Sequence, residues 1–443
     1  MAGEWQHQAL ERVAELSGGY AFKSDDYSQE GRFVLRTLNI KDDGSINRDD
    51  AVYIPLEQCS QYQRFELEEH DTLFVMVGAT LGKVGYVRRE TLPALLNQNM
   101  WRIRGREGLC DKRYLQYAFR YSVSKNLGWA SGSARDFVRR DDYRTMEIPV
   151  PTLPQQKAIA SILGALDDKI ELNRKMNVTL EAMARALFKS WFVDFDPVRA
   201  KLDGRKPIGM DNATAALFPD SFEDSELGHI PHGWQVNSID QLAERVAMGP
   251  FGSDIKVSTF VPEGVPVISG QHLRGTLLDD SEFNFVSVEH ADRLKRTNVQ
   301  RGDVIFTHAG SIGQVAYIPE TSRYERYIVS QRQFYMRCNR ALVSPFYITS
   351  YFQTPEGQHR LLANTSSTGV PSISQPVTYL RQLKMVVPHP ALLQVFDKTV
   401  GQIHLKMADN DHQSRTLATL RDTLLPKLLS GSLRVDSNQL LTG

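Results

Sequence analysis

The chain contains the same sequence pattern twice, and each copy closes with a heptad series of mostly apolar residues. The two series lie 237 positions apart without a gap. Four heptads across roughly 38 residues predict a helix of about 57 Å, and two equal helices of this kind are predicted to pair antiparallel as a coiled coil. An asparagine at the midpoint of each series favours one register. The predicted pairing positions are Ile159, Leu166, Asn173, Leu180 and Leu187 in the first helix, and Phe396, Ile403, Asn410, Leu417 and Leu424 in the second.

The repeat extends through the segments that precede the helices. The stretch DTLFVMVGATLGKVGYV at 71–87 returns as DVIFTHAGSIGQVAYI at 303–318. An apolar run, a glycine pair and a second apolar run predict a strand, a turn and a strand. Other matches keep the same order in both copies: Trp5 with Trp234, 34–40 with 267–273, 113–119 with 346–352, and the proline-ended strands 146–151 and 383–388.

The glycine turn of the first copy does not fit a nucleotide-binding loop. Such a loop needs four residues between its glycines and a Ser or Thr after the lysine. Only three residues separate Gly78 from Gly82, Val84 follows Lys83, and the second copy has Gln314 in place of the lysine. The shared glycines are therefore predicted to serve the turn itself.

These patterns predict an α+β protein with two similar globular domains in tandem, each followed by a long helix. A segment rich in Pro, Gly and charge between the halves is predicted to be a linker. The predicted boundaries are 1–152 for the first domain, 153–195 for the central helical region, 196–232 for the linker, 233–389 for the second domain, 390–432 for the C-terminal helical region and 433–443 for a tail.

Positive charge is concentrated at corresponding places in the two copies, although 52 Lys and Arg residues balance 52 Asp and Glu residues overall. The net charge is +8 over 83–144 and +6 over 293–340. Arginine can grip phosphates or guanine, and interleaved glutamine or asparagine can pair with adenine. The duplication favours a DNA-binding surface over an ordinary solvated face. Loops rich in small polar residues at 129–142 and 364–376 are a second candidate surface, or simply exposed loops.

The resulting candidate DNA-binding residues fall into the basic stretches and the polar loops. They are Lys83, Gln98, Arg102, Ser131, Ser133, Arg135, Arg139 and Arg140 in the first copy, and Gln314, Gln331, Arg332, Ser366, Ser367, Thr368 and Ser372 in the second.

The sequence shows little that would support catalysis. No zinc-type histidine spacing occurs, and the three cysteines are far apart, as expected for a reducing cytoplasm. We expect no catalytic residue and no metal site. One weak alternative remains, a metal-dependent nuclease using Asp220, Asp254 and Lys256, and a coiled-coil scaffold without DNA specificity is another. No run of 18 apolar residues occurs, so a membrane protein is not expected.

The segments 153–201, 217–234 and 419–433 closely resemble the specificity subunit of Type I restriction-modification systems. The resemblance implies two target-recognition domains, each reading one half of a bipartite, asymmetric site on double-stranded DNA. It also implies that the helices set the spacer and dock two modification (methyltransferase) subunits. Two restriction/translocase subunits would complete the complex. S-adenosylmethionine, ATP and Mg²⁺ are expected in those partners, and no cofactor is expected in this chain.

Overall fold

The computed structural model describes residues 5–77, 80–126, 140–252, 254–280, 282–366 and 369–435. The chain divides into two compact units. The first comprises Met1–Leu172 together with Gln413–Gly443, and the second comprises Asn173–His412. Both divisions fall inside the long helices, so each unit contains one domain and a half of each helix.

In the first unit the domain begins with a short strand and ends where the first long helix starts. Its elements are β1 (His7–Ala9), α1 (Leu10–Val13), β2 (Ala14–Gly18), β3 (Arg32–Leu35), β4 (Val52–Ile54), β5 (Thr72–Val75), β6 (Val84–Tyr86), β7 (Ala94–Leu96), β8 (Met100–Gly105), α2 (Lys112–Asn126), α3 (Arg140–Arg144), β9 (Glu147–Pro149) and α4 (Leu153–Phe192).

These strands form two main sheets. One is antiparallel with the order β2-β8-β5-β6, and the other has the order β4-β3-β7 with β3 and β7 parallel. A third pair, β1 with β9, joins the two ends of the domain. Trp101 and Ile103 of β8 are buried against Leu115 and Phe119 of α2, together with Leu163 of α4. The sheet therefore packs on the first half of the long helix through a single core.

In the second unit the folded segments start after α4 and end with the second long helix. They are α5 (Asp196–Leu202), α6 (Asn212–Ala216), β10 (Phe222–Ser225), β11 (Gly228–Pro231), β12 (Gln235–Ser238), α7 (Ile239–Leu242), β13 (Ala243–Met248), β14 (Phe260–Val261), β15 (Val265–Ile268), β16 (Asn284–Val286), α8 (Val288–Arg293), β17 (Asn298–Gln300), β18 (Val304–Thr307), β19 (Val315–Tyr317), β20 (Arg326–Val329), β21 (Gln333–Cys338), α9 (Pro345–Phe352), α10 (Pro355–Leu362), β22 (Thr365–Ser366), β23 (Ser372–Ile373), α11 (Pro376–Gln382), β24 (Lys384–Val387) and α12 (Pro390–Ser430).

The second domain repeats the sheet plan of the first. The order β13-β21-β18-β19 corresponds to β2-β8-β5-β6, and β12 pairs with β24 as β1 pairs with β9. The other sheet is larger, with the order β14-β16-β15-β20-β17, and its β15 and β20 are parallel like β3 and β7. The internal repeat seen in the sequence is therefore a repeat of topology.

The helices α4 and α12 pair antiparallel. In the second unit, Nδ2 of Asn173 donates to the carbonyl oxygen of Asn410 at 3.3 Å, and the rings of Phe188 and Phe396 lie 5.8 Å apart. In the first unit, Arg421 donates to Asp167 at 2.8 Å. The predicted fold class is confirmed: two α+β domains in tandem, each followed by a long helix. No helix in the described ranges is both long and apolar enough to cross a bilayer.

The segment 196–232, predicted to be a linker, contains regular structure in the form of α5, α6 and the β10–β11 hairpin. Phe218 is buried, and its ring lies edge-on to Trp191 of α4 at 5.3 Å. Nζ of Lys201 donates to the carbonyl oxygen of Ala215 at 3.4 Å. The ring contact of Phe218 with α4 and the β10–β11 hairpin give this segment its order, and neither has a periodic sequence signature.

A tryptophan at the entrance of each domain packs on the last turns of a long helix. In the first unit, Nε1 of Trp5 donates to the carbonyl oxygen of Leu428 in α12 at 2.7 Å. In the second unit, the ring of Trp234 lies 5.9 Å from that of Phe192 in α4. Each domain is therefore fastened to the end of the helix that follows the other domain in sequence.

Candidate nucleic-acid interface

One end of the four-stranded sheet in the first domain gathers the loops that carry the candidate residues. The antiparallel register places Gly18 opposite Trp101, and Val75 opposite Met100. The backbone N–H of Gln98 donates to the carbonyl oxygen of Tyr20 at 2.8 Å. This hydrogen bond connects the loop before β8 to the loop after β2. Gln98 is exposed at this end.

The second domain has the same arrangement at the corresponding end of its sheet. The Gly249 amide donates to the carbonyl oxygen of Gln333 at 2.8 Å, and the His308 amide donates to that of Arg332 at 2.9 Å. His308 Nε2 also lies 3.0 Å from the carbonyl oxygen of Gln331. Gln331 and Arg332 are both exposed, so their side chains face solvent at the sheet end where three loops meet.

The polar loop before the last strand joins the same surface in the second domain. The Ile373 amide donates to the carbonyl oxygen of His308 at 2.8 Å, and the Gly310 amide donates to that of Pro371 at 3.1 Å. Ser366 of β22 is paired with Ser372 of β23. Ser366, Ser372, Gln331 and Arg332 are thus brought to one end of the domain although they come from distant segments. Small hydroxyl groups and exposed amides are suited to phosphates and base edges.

The glycine turns between β5 and β6 and between β18 and β19 have the same backbone geometry. Gly82 has φ of 86° and Gly313 has φ of 85°, a left-handed conformation that favours glycine. The Gly82 amide donates to the carbonyl oxygen of Val75 at 3.0 Å, and the Gly313 amide donates to that of Thr307 at 3.2 Å. The turns close strand pairs, as the sequence predicts.

Three of the candidate residues make contacts within the protein. Lys83 forms an ion pair with Asp42 at 2.8 Å, and Gln314 accepts a hydrogen bond from Thr307 Oγ1 at 3.2 Å. Arg102 is 6% exposed and donates to the carbonyl oxygen of Glu66 at 3.0 Å. These side chains shape the sheet end in the present structure, and their part in DNA binding stays a prediction.

Several candidates lie outside the described residues: Ser131, Ser133, Arg135, Arg139, Ser367 and Thr368. Arg140 begins α3, and its side chain also lies outside the described part. The polar loop of the first domain therefore contributes nothing to the geometry given above.

Phe251 is a residue that the sequence analysis missed. Its side chain is 84% exposed in the loop after β13, and its amide donates to Asp254 Oδ2 at 3.1 Å. A Cβ atom at Gly252 would lie 2.4 Å from Oε1 of Gln331, so the loop that carries Phe251 contacts a candidate base reader. The available signal was an aromatic residue in a Gly-Pro-Phe-Gly stretch directly after a strand.

The weak nuclease alternative depends on Asp254, and the structure uses this carboxylate to hold the Phe251 loop. Asp220 is exposed in the segment after α6. Within the described ranges, no three His, Cys, Asp or Glu side chains are grouped as a metal ion would require.

A buried histidine joins the second domain to α12. Tyr317 Oη and His404 Nδ1 lie 2.7 Å apart, and His404 is 3% exposed. Burial lowers the pKa of His404 to about 4, although the charge of Glu181 opposes this shift. The imidazole is therefore neutral at pH 7.

We expect the His404 site to make the second unit sensitive to acid. An unfolded histidine has a pKa near 6.5, so unfolding takes up a proton between about pH 6.5 and 4. Stability from this group is complete above that range and is lost as the pH falls through it, at up to about 1.4 kcal/mol per pH unit. When the melting temperature is measured from pH 7.5 to 4.5, it should fall less steeply with decreasing pH for His404→Gln than for the unaltered protein. The exposed His389→Gln variant is the control, and equal slopes for all three proteins would contradict the assignment.

Residues 2–182 match the family described as Type I restriction modification DNA specificity domain. The chain is 25% identical over 335 residues to the HindI specificity subunit of Haemophilus influenzae, covering 66% of this chain and 70% of that one. It is 24% identical over 366 residues to the MjaIX specificity subunit of Methanocaldococcus jannaschii, covering 80% and 76%.

A solved structure supports the fold. The crystal structure of the S subunit of a Type I restriction-modification system from M. genitalium matches with a TM-score of 0.53 at 16% identity, covering 96% of both chains. The resemblance to Type I specificity subunits that the sequence predicts is confirmed.

Proposed function

We propose that this chain is the DNA-recognising subunit of a Type I restriction-modification complex and has no catalytic role of its own. The observation that carries the proposal is the duplicated sheet end, where Gln98 in one domain and Gln331 in the other lie among corresponding loops. Two similar domains suit two half-sites on one DNA molecule. Because the loops differ in sequence, the two half-sites should differ, and the whole site should be asymmetric.

The paired helices are proposed to set the distance between the half-sites. A helix of about 57 Å corresponds to about 17 base pairs at 3.4 Å each, which is the scale of half-sites a helical turn or more apart. The Asn173–Asn410 hydrogen bond supports a fixed register. Apolar side chains such as Val178 and Met183 remain more than half exposed on α4, which supports docking of the methyltransferase subunits on the helices.

The chemical steps are proposed to belong to partner subunits. Methyl transfer from S-adenosylmethionine to adenine would be carried out by two modification subunits. Translocation and cleavage, which need ATP and Mg²⁺, would be carried out by two restriction subunits. This chain would contribute sequence selection and the distance between the two reading sites.

A domain exchange tests the proposal. Residues 1–152 are replaced by the corresponding region of a relative that recognises another sequence, and the complete system is expressed in cells. Methylome sequencing should show a change in one half of the modified site and no change in the other half or in the spacer. The matched exchange of 233–389 should change the other half. An altered sequence in both halves after a single exchange would refute the two-domain assignment.

The two alternatives give different results. The purified chain with DNA and Mg²⁺ should not cleave, whereas a metal-dependent nuclease would. In the assembled complex, binding to the modified sequence should exceed binding to unrelated DNA at physiological salt, whereas a scaffold would show equal binding.

A further inference from the structure

We infer that each domain carries a cluster of three arginines that binds the backbone phosphates of duplex DNA, separate from the loops that read bases. The inference rests on the proposed function and extends it. The clusters are Arg64, Arg102 and Arg144 in the first domain, and Arg245, Arg296 and Arg381 in the second. They would contribute affinity without sequence preference, once for each half-site.

The first cluster surrounds a cavity of about 440 Å³ beside β2 and β8, lined also by Trp101 and Glu15. Arg102 forms the floor: it donates to the carbonyl oxygen of Arg64 at 3.3 Å and pairs with Glu15 at 3.3 Å. Its Nε is buried and makes no hydrogen bond to any described part of the chain. Arg64 and Arg144 are exposed at the rim. The cavity therefore presents guanidinium groups to an anion from outside.

The second domain builds its cluster at equivalent places. Tyr335 occupies the position of Arg102, and its hydroxyl donates to the carbonyl oxygen of Arg296 at 3.2 Å, as Arg102 does to that of Arg64. Arg381 stands three residues before β24, as Arg144 stands three residues before β9, and it donates to the carbonyl oxygen of Val246 in β13 at 3.3 Å.

Arg245, the third arginine of the second cluster, supplies the positive charge that is absent where Tyr335 replaces Arg102. Arg245 lies opposite Arg337 in the β13–β21 ladder, where Glu15 lies opposite Arg104 in the first domain. Its guanidinium is 6.0 Å from the ring centroid of Tyr335. One carboxylate forms an ion pair with each cluster: Glu15 with Arg102 at 3.3 Å in the first, and Asp240 with Arg381 at 3.5 Å in the second. Each cluster therefore has three arginines and one carboxylate paired with them.

This equality points to phosphate and not to bases. The candidate DNA-binding residues of the loops differ between the domains, with Lys83 replaced by Gln314, whereas Arg64 and Arg144 recur as Arg296 and Arg381. Phosphates are identical along DNA, so contacts to them can be the same in both halves, and arginine is suited to bind them with two hydrogen bonds. Arg102 is also one residue from Trp101, which pairs with Gly18 at the end of the sheet where the loops meet.

The test measures the salt dependence of DNA binding by the chain assembled with its modification subunits. The variants are Arg64→Gln/Arg144→Gln and Arg296→Gln/Arg381→Gln. Each phosphate contact contributes about 0.9 to the slope of log K against log salt, so each double variant should lower the slope by about 1.8. Affinity should fall by the same factor for the modified sequence and for unrelated DNA, which leaves the preference intact.

Three controls separate the outcomes. Arg12→Gln/Arg106→Gln removes two exposed charges at the opposite end of β2 and β8 and should leave the slope unchanged. Arg→Lys substitutions at the cluster positions should restore most of the slope, which a folding defect would not allow. Inorganic phosphate should compete with DNA binding less well in the Gln variants than in the unaltered complex.

Two results would overturn the inference while the proposed function stands: an unaltered slope in both double variants, or a changed base preference in one half-site. The second result would make these arginines base readers. If the unaltered complex showed no preference for any sequence, the proposed function itself would fail.

Discussion

Replacing Arg104 with methionine is expected to destabilise the first unit by about 3–5 kcal/mol, because it leaves a buried carboxylate without its counterion. Asp71 is fully buried and accepts hydrogen bonds from Nε and Nη2 of Arg104, each at 2.7 Å. The second domain repeats this pair: Arg337 donates to buried Asp303 at 2.8 and 2.7 Å. Denaturant unfolding, with hydrogen exchange to separate the units, measures the effect.

The second pair predicts how this loss depends on pH. Burial raises the pKa of Asp303 above its ordinary value, although Arg337 acts in the opposite direction. Without its arginine, such a carboxyl group can bind a proton, so the destabilisation by Arg337→Met should be smaller at pH 5 than at pH 8. Arg106→Met, an exposed site, is the matched control. If both Arg→Met variants lowered the free energy of unfolding by less than about 1 kcal/mol, the expected contribution of these buried ion pairs would be contradicted.

Replacing Gly249 with alanine is expected to weaken recognition of one half-site and leave recognition of the other intact. A Cβ atom there would lie 2.0 Å from the carbonyl oxygen of Ser330 and 2.8 Å from that of Gln333. The loop that carries Phe251 would have to move away from β21 and from Gln331, which lies directly before that strand. Specific binding should weaken by about 10- to 100-fold, the scale of a mismatched base pair or two.

The equivalent substitution in the first domain is Gly19→Ala. A Cβ atom at Gly19 would lie 2.0 Å from the carbonyl oxygen of Asn97, so Gly19→Ala should affect the other half-site. Gly275→Ala is the control, because the nearest atom to its added Cβ is 3.9 Å away. Binding to DNA with each half-site altered in turn assigns the loss. Two results would show that these close contacts do not position the DNA-binding loops. One is unchanged DNA recognition by Gly249→Ala, and the other is loss of binding to the same half-site in both glycine variants.

Sequence reasoning predicted the fold better than the site. The heptads and the repeated strand-turn-strand are local patterns, and they indicated α4, α12 and the tandem domains. The order of segment 196–232 could not be predicted, because it depends on contacts such as Phe218 with Trp191 that no period reveals. The division of the chain inside both long helices is likewise a property of long-range packing.

At the site, the sequence identified residue types and not their burial. Arg102 has the chemistry of a DNA contact, but the sequence did not show that it lies at the floor of a cavity and donates to backbone carbonyl groups. Arg64 and Arg144 were missed because each is an ordinary charged residue in its own segment. Only the folded domain brings them to one cavity, and only comparison of the two domains shows that their positions recur in Arg296 and Arg381.

The contact between Trp5 and Leu428 has a consequence for synthesis on the ribosome. All of Asn173–His412, the second unit, is available once residue 412 has emerged, and none of its residues comes from elsewhere in the chain. The first unit needs residues from both sides of that segment, and the Trp5 hydrogen bond cannot form until Leu428 has been made. The domain that is translated first therefore completes its packing last, after its neighbour in the chain has every residue it needs.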